Sequence, residues 1–254
     1  MILILSPAKN LDFTSKLPTK RFTLPDHLDR SKRLVNALRK YSRKELEDLM
    51  GISSQLADLN FKRYKVWHTG FTPENARQAI LAFNGEVYNG LKAKNLDEDT
   101  LVYAQQHLRI LSGLHGILRP LDLIQPYRLE MGTQLPVGKA ANLYEFWGSR
   151  INKHLTELAK HTNSKVLINL ASHEYAKAAA PDSLPIRVIA PAFKQLKGDK
   201  LSTITVYMKK ARGLMARYIL ENRTEDPEQL KLFDAEGYSY AEQYSTRDTW
   251  VFVR

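Results

Sequence analysis

Two strand-like runs in the 254-residue chain end in the same way. "LILIL" leads into Ser6-Pro7-Ala8-Lys9, and "LINLA" leads into Ser172-His173-Glu174-Tyr175-Ala176-Lys177. A serine at the C-terminal end of a strand can cap the next turn of chain and leave backbone N–H groups pointing outward. A lysine close behind adds positive charge, and the combination suits an anion. In open α/β sheets such strand ends border one crevice. Each end also reads as an ordinary N-cap followed by a solvated lysine, and both readings stay open.

Two helical stretches carry further cations. In "MKKARGLMARYILEN", residues 208–222, Met208, Ala211, Leu214, Met215, Tyr218 and Ile219 fall on one side of a helix. Lys209, Lys210, Arg212 and Arg217 share the other, over an arc of about 160° at 100° per residue. Gly213 sits within that basic side, where a glycine costs about 1 kcal/mol relative to alanine. A polyanion approaching the helix backbone would give the glycine a purpose; otherwise this is a solvated amphipathic helix. In "ELEDLMGISSQLADLN", residues 45–60, a helix, a turn at Gly51-Ile52-Ser53 and a second helix capped near Ser54 come in order. Helix-hairpin-helix elements have this layout and present turn N–H groups to phosphates. Any helical hairpin needs a turn glycine, however, and only one of the usual two is present.

"LRPLDLIQPYRLEMG", residues 118–132, mixes anchors and charges. Its leucines and Ile124 suit a rigid, proline-set loop packed on a sheet. Arg119 and Arg128 would then project into a cleft, each oriented by a carboxylate, Asp122 and Glu130 being nearest. A fixed guanidinium fork loses little entropy on gripping phosphate. The alternative is a salt-bridge network that braces an irregular segment.

Several chemistries are excluded. The chain has no cysteine, which removes disulfides, thiolate nucleophiles and Cys-ligated metals. Its 7 histidines form no H-x-H or H-x-x-x-H pair, so no metal site is expected. Dinucleotide, Walker and nucleophile-elbow motifs are absent, and no cofactor is expected. No apolar run approaches the ~20 residues of a membrane span, and "MILILSPAKN" reads as a strand rather than a signal peptide. A cytoplasmic protein with no membrane partner is expected. The net charge is +11, from 38 Lys+Arg against 27 Asp+Glu, and favours a polyanionic partner.

The elements that must position these residues are set by periodicity. Residues 2–5 predict a buried strand. Residues 26–82 predict an all-helical stretch: a helix from Asp26 toward Leu49, a new start at the capping box Ser42-x-x-Glu45, a helix from Ser54 to about Trp67, and another opened by Thr72-Pro73. Asn84-Gly85 and Asn89-Gly90 predict turns. A helix over 98–107 leads into the strand "LRIL". Asn142-x-x-Glu145 opens a long helix to about Lys160, and "KVLINLA" is a buried strand. "IRVIAPAF" and "LSTITVYM" predict an antiparallel pair, and "TWVFV" a last strand. The expectation is one α/β domain over residues 1–254, a mixed sheet flanked by helices. A helical insert over 26–82 would contain the hairpin candidate at 42–60.

"LSPAKNLDF", "LSGLHGILRPLDLIQPYRLEMG", "NLYEFWG", "INLASHEYAK" and "KKARGLMARYI" together resemble the YaaA family of bacterial peroxide-stress proteins, in order and nearly end to end. The resemblance implies a cytoplasmic protein that limits peroxide damage by keeping free iron low. It also implies a mixed α/β fold with a positively charged cleft and a helix-hairpin-helix element, and binding to double-stranded and branched DNA. Two positions depart from the usual family pattern: His115 stands in place of tyrosine and His173 in place of an acidic residue. Both are expected to flank the cleft, where they would alter its protonation near neutral pH.

Two functions compete. In the first, Ser6, Lys9, Arg119, Arg128, Ser172 and Lys177 form a cleft for the DNA backbone. Lys209, Lys210, Arg212 and Arg217 extend it, and Gly51, Ser53 and Ser54 present hairpin N–H groups, largely independent of sequence. In the second, an enzyme acts on a nucleic-acid base or nucleotide, with Lys9, Glu130, Glu174 and Lys177 as catalytic candidates beside Tyr175. Direct iron sequestration lacks a ligand cluster at binding spacing.

Overall fold

Every residue of β1 (Ile2–Leu5) is buried, as a strand covered on both faces requires. In the computed structural model, which describes residues 1–198 and 200–254, β1 lies near the middle of the main sheet. It pairs in parallel with β5 (Leu108–Ser112), Leu3 opposite Leu108, and with β8 (Val166–Asn169), Ile2 opposite Leu167. β8 carries β9 (Arg187–Lys197), and β9 carries β12 (Thr249–Val253), both in parallel. Three antiparallel strands complete the sheet: β6 (Gly116–Leu118) on β5, β11 (Ser239–Tyr240) on β12, and β10 (Lys200–Ser202) on the far end of β9. The order is β11-β12-β9-β8-β1-β5-β6, with β10 joined to β9 alone. This is a mixed α/β architecture with a mostly parallel sheet.

The antiparallel pair expected from "LSTITVYM" holds only for its start. α10 (Thr205–Asn222) already begins at Thr205, and the Met208 N–H donates to the Ile204 carbonyl. β-branched residues favour strands, but tertiary packing overrides so weak a preference.

Residues 26–82 are not helical throughout. α1 (Leu28–Leu38) buries Leu34, Val35 and Leu38. Ser42 then starts α2 (Arg43–Met50) through a complete capping box, and α2 ends at Gly51 in the left-handed region, φ 58°. Ser53 caps α3 (Ser54–Val66). Thr72-Pro73 opens only a single turn, in which Ala76 N–H reaches the Thr72 carbonyl. The chain next extends as β3 (Arg77–Gln78), antiparallel to β7 (Leu123–Ile124), because both side chains are anchored elsewhere. Arg77 donates to the Ser15 carbonyl and Gln78 to the Arg21 carbonyl. α4 (Ala79–Ala82) comes next, then β4 (Phe83–Asn84), which pairs with β2 (Asn10–Leu11).

The expected turn at Asn89-Gly90 lies instead inside α5 (Glu86–Leu91). A Cβ on Gly90 would stand 2.1 Å from the Lys210 carbonyl oxygen, and one on Gly213 would stand 1.7 Å from that of Val87. The two glycines let the backbones of α5 and α10 touch. Gly213 is buried, so the expectation that it opens the helix to a polyanion is overturned: another helix already occupies that side.

α6 (Glu98–His107) is capped by Asp97 and runs directly into β5. The long helix expected from Asn142 is broken into α7 (Leu143–Trp147) and α8 (Arg150–His161) by Gly148 at φ 52°. Trp147 sets the break. Its indole is fully buried against Gly116, with Nε1 donating to the Gly113 carbonyl at 2.9 Å. α9 (His173–Ala179) leaves the end of β8.

Candidate functional site

The two strand-end serines meet. Ser172 N–H donates to Ser6 Oγ at 2.8 Å, and the two hydroxyl oxygens lie 3.3 Å apart, although the residues are 166 positions apart. The Ser172 amide is therefore occupied by Ser6 rather than left outward-facing. Beside the pair opens a cleft of about 430 Å³, lined by Ser6, Lys9, Arg128, Glu130, Ser172, Glu174, Tyr175, Lys209 and Arg212. It stands at the C-terminal ends of the central strands β1 and β8.

The 118–132 segment divides its two arginines. Arg119 Nε bonds Asp122 at 3.0 Å, while its Nη2 reaches Asp26 at 3.0 Å and the Leu24 carbonyl at 2.7 Å. Asp122 is buried, and burial pushes its carboxyl above the usual value. Arg119 therefore braces the loop against the N-terminal segment and does not line the cleft. Arg128 does line it. Its Nη2 bonds Glu130 at 3.0 Å, and the other Glu130 oxygen takes Lys9 Nζ at 2.7 Å. Tyr64 Oη donates to the Arg128 carbonyl and holds the backbone in place.

The basic face of α10 divides in the same way. Lys210 pairs with Glu236 at 2.5 Å. Arg217 donates to the Leu91 and Lys92 carbonyls at 3.2 and 3.1 Å and bonds Glu221 at 2.6 Å, so it caps the end of α5. Lys209 and Arg212 face the cleft.

Arg212 has no ion pair or hydrogen bond among the described residues, and its Nε is sheltered from solvent without a partner. Burial pushes its guanidinium below its usual value. The Nε of Arg128 is likewise buried without a partner. Leaving a charged donor desolvated and unpaired costs several kcal/mol. An anion drawn into the cleft would recover that cost.

Lys177 lies in an adjoining cleft of about 530 Å³ with His173, Asp182 and Lys194; Arg212 lines both. Its Nζ sits 4.8 Å from the Tyr144 ring centre. Of the catalytic candidates, Lys9, Glu130 and Glu174 thus share one cleft and Lys177 occupies the next. Glu174 Oε1 accepts from Gly132 N–H at 2.8 Å. Burial pushes the Tyr175 hydroxyl well above its usual value, so it stays a neutral phenol.

Gly51, Ser53 and Ser54 line neither cleft. They form an exposed turn, and no atom stands within 4 Å of where a Cβ on Gly51 would point. Of the upstream cations, Arg43 pairs with Asp58 at 2.6 Å, and Lys44 bridges Glu47 and Asp48. Arg39 clasps the end of α3 through the Tyr64 and Trp67 carbonyls.

His115 does not flank the cleft. It is fully buried between Trp67, Phe71 and Tyr127, with Nδ1 3.0 Å from Ser31 Oγ, and burial pushes it down to about 3. It is neutral at physiological pH. His173 is exposed and lines the second cleft.

Sequence reasoning missed Asn10 and Asn84, which face each other across the β2–β4 bridge and line the first cleft, and Lys194 in the second. Nothing local in the chain pairs two asparagines so far apart. Among the described residues, no group of three His, Asp or Glu side chains is placed to hold a metal ion, and no helix is long and apolar enough to cross a membrane.

The family model described as peroxide stress protein YaaA matches residues 1–244, and the chain belongs to that family.

Proposed function

We propose that this peroxide stress protein binds DNA, double-stranded or branched, through its phosphate backbone and largely without regard to sequence, and thereby helps limit iron-dependent oxidative damage. The observation that carries this reading is the unpaired state of Arg128 Nε and Arg212 Nε in one cleft, with Lys9 and Lys209 beside them. Arg212 has no partner among the described residues and Arg128 keeps its Nε free although its Nη2 bonds Glu130, so the cleft can still take an anion, and phosphate matches the guanidinium fork. The exposed turn at Gly51 offers a second contact through the Ser54 and Gln55 N–H groups that open α3, since those of Gly51 and Ile52 already donate to the Glu47 carbonyl.

Counterion exchange gives a physical link to peroxide. DNA holds a condensed atmosphere of cations, and a protein that neutralises phosphates releases them. Ferrous iron held there reduces peroxide to hydroxide and a hydroxyl radical next to the sugar it damages. Covering the backbone moves that one-electron step away from the DNA.

The test is affinity for a fluorescent duplex between about 50 and 200 mM salt. Affinity should fall steeply, and the slope should become shallower in Arg128→Ala and Arg212→Ala. A flat salt dependence sinks the proposal.

A second reading, an enzyme acting on a nucleic-acid base, is favoured by Lys9 and Glu130 lying 2.7 Å apart in the same cleft as Glu174. Borohydride trapping of a Lys9 adduct on damaged DNA would support it. Unchanged turnover in Lys9→Ala would end it.

A further inference from the structure

The first cleft is a small pit that shares Arg212 with the cleft beside it. Beneath it, Tyr88 Oη donates to the Ser6 carbonyl at 3.0 Å, and Tyr127 Oη meets Ser112 Oγ at 2.6 Å. The Lys9–Glu130 pair and the Ser6–Ser172 contact form part of its wall. A duplex can lay a phosphate across the mouth of a volume of about 430 Å³ but cannot enter it. It lies within the roughly 300–1,000 Å³ typical of small-ligand pockets, where one nucleotide fits.

Backbone binding accounts for Arg128, Arg212 and Lys209 in the pit, but not for Glu174. A carboxylate beside a phosphate repels it. Glu174 has no ion pair among the described residues, so it does not serve to neutralise a cation. Its Oε1 is held by Gly132 N–H at 2.8 Å, while its Oε2 has no donor among the described residues. A half-buried, fixed acceptor in the same cleft as Arg212, which has no partner among the described residues, and the free Nε of Arg128 matches a ligand that carries an N–H edge and a phosphate in one unit. A nucleotide has both, and the ring surfaces of Tyr127 and Tyr175 offer its base an apolar wall.

We infer that the pit receives a single nucleotide swung out of the DNA stack, its base edge on Glu174 and its phosphate on Arg212 and Arg128. The inference rests on the DNA-binding reading and specifies what the same cleft holds. Unstacking costs a few kcal/mol, least at mismatched, damaged or single-stranded positions, so the pit selects those positions without reading a sequence. Peroxide stress produces such positions.

The experiment uses the full chain and oligonucleotides carrying 2-aminopurine, single-stranded or in a duplex opposite an abasic site. Binding is followed by anisotropy of a terminal dye and base unstacking by 2-aminopurine fluorescence. Wild type should raise the fluorescence several-fold on binding. Glu174→Gln retains an acceptor for Gly132 N–H but turns the open oxygen into a donor. It should lose most of that rise even at saturation, where the anisotropy shows the oligonucleotide fully bound. Binding with no fluorescence rise, or a rise unaltered in Glu174→Gln, overturns the inference and leaves the DNA reading standing. Absence of oligonucleotide binding overturns the DNA reading. Calorimetry with a free deoxynucleoside monophosphate then decides the pit: heat that vanishes in Glu174→Gln keeps its ligand class, and no heat removes that as well.

Discussion

The cleft and the α2–α3 hairpin are both rich in cations, yet they hold them in opposite states. In the hairpin, Arg43, Lys44 and Lys62 are exposed and paired with Asp58, Glu47 and Asp48, all within one helix or its neighbour. Such pairs contribute roughly 0–1 kcal/mol each and satisfy themselves. In the cleft, Arg212 has no partner among the described residues, and Arg128 leaves its buried Nε unpaired although its Nη2 bonds Glu130. Positive charge alone therefore does not set the two regions apart; what distinguishes the cleft is positive charge left without a partner. Arg119, Lys210 and Arg217 fall on the hairpin's side of this divide, because carboxylates or carbonyls already occupy them.

The largest effect is expected from separating the helices that build the cleft. Gly213→Ala places a methyl where only 1.7 Å separates it from the Val87 carbonyl oxygen. Backbone cannot yield as a side chain does, so a loss of about 3 kcal/mol or more is expected in denaturant unfolding, with DNA affinity falling alongside. An unchanged midpoint would mean that α5 and α10 do not touch as described.

Acid should act next most strongly, through buried histidines that line neither cleft. His115 and His154 are held down to about 3 and about 4 by burial, against a usual value of 6.5. A histidine lowered in the folded state contributes stability that is complete above about pH 6.5 and is lost as pH falls toward the folded value. Each costs about 1.4 kcal/mol per pH unit in that window, or roughly 2 kcal/mol by pH 5. Asp122, pushed up by burial, opposes this in part. The thermal midpoint should therefore drop between pH 7 and pH 5, and His115→Phe should flatten the drop. The hairpin, with no histidine between residues 42 and 60, contributes nothing to it.

Arg212→Met tests the open cation itself. Removing a half-buried charge whose Nε has no partner should leave folding stability unchanged or improved. Losing charge-assisted bonds to phosphate, about 1.5–3 kcal/mol, should weaken DNA binding tenfold or more. A destabilised but equally tight-binding variant would assign Arg212 a structural role. The smallest effect belongs to the hairpin. Gly51→Ala at φ 58° should cost about 1 kcal/mol in stability. Its effect on DNA affinity, read by anisotropy, should be smaller than that of Arg212→Met.

Much of the scaffold was visible in the chain. β1, β8 and β12 stand out as apolar runs, and the capping box at Ser42 and the glycine stop at Gly51 place α2 within a residue. What escaped were elements whose cause lies elsewhere. β3 exists because Arg77 and Gln78 are tied to the N-terminal loop, and the α7–α8 break exists because Trp147 must cover Gly116. The site was half visible. Ser6, Lys9, Arg128, Glu130, Ser172, Glu174, Lys209 and Arg212 do line one cleft, while the hairpin residues, Arg119, Lys177, Lys210 and Arg217 do not.

The sequence by itself determined the local elements and the supply of cations, because caps, glycine stops and apolar periodicity act over a few residues. Only the tertiary structure decided which cations were committed to the fold and which remained open. Pairing depends on distance and desolvation between groups such as Arg217 and Leu91, or Lys9 and Glu130. These groups become neighbours only after the chain has folded.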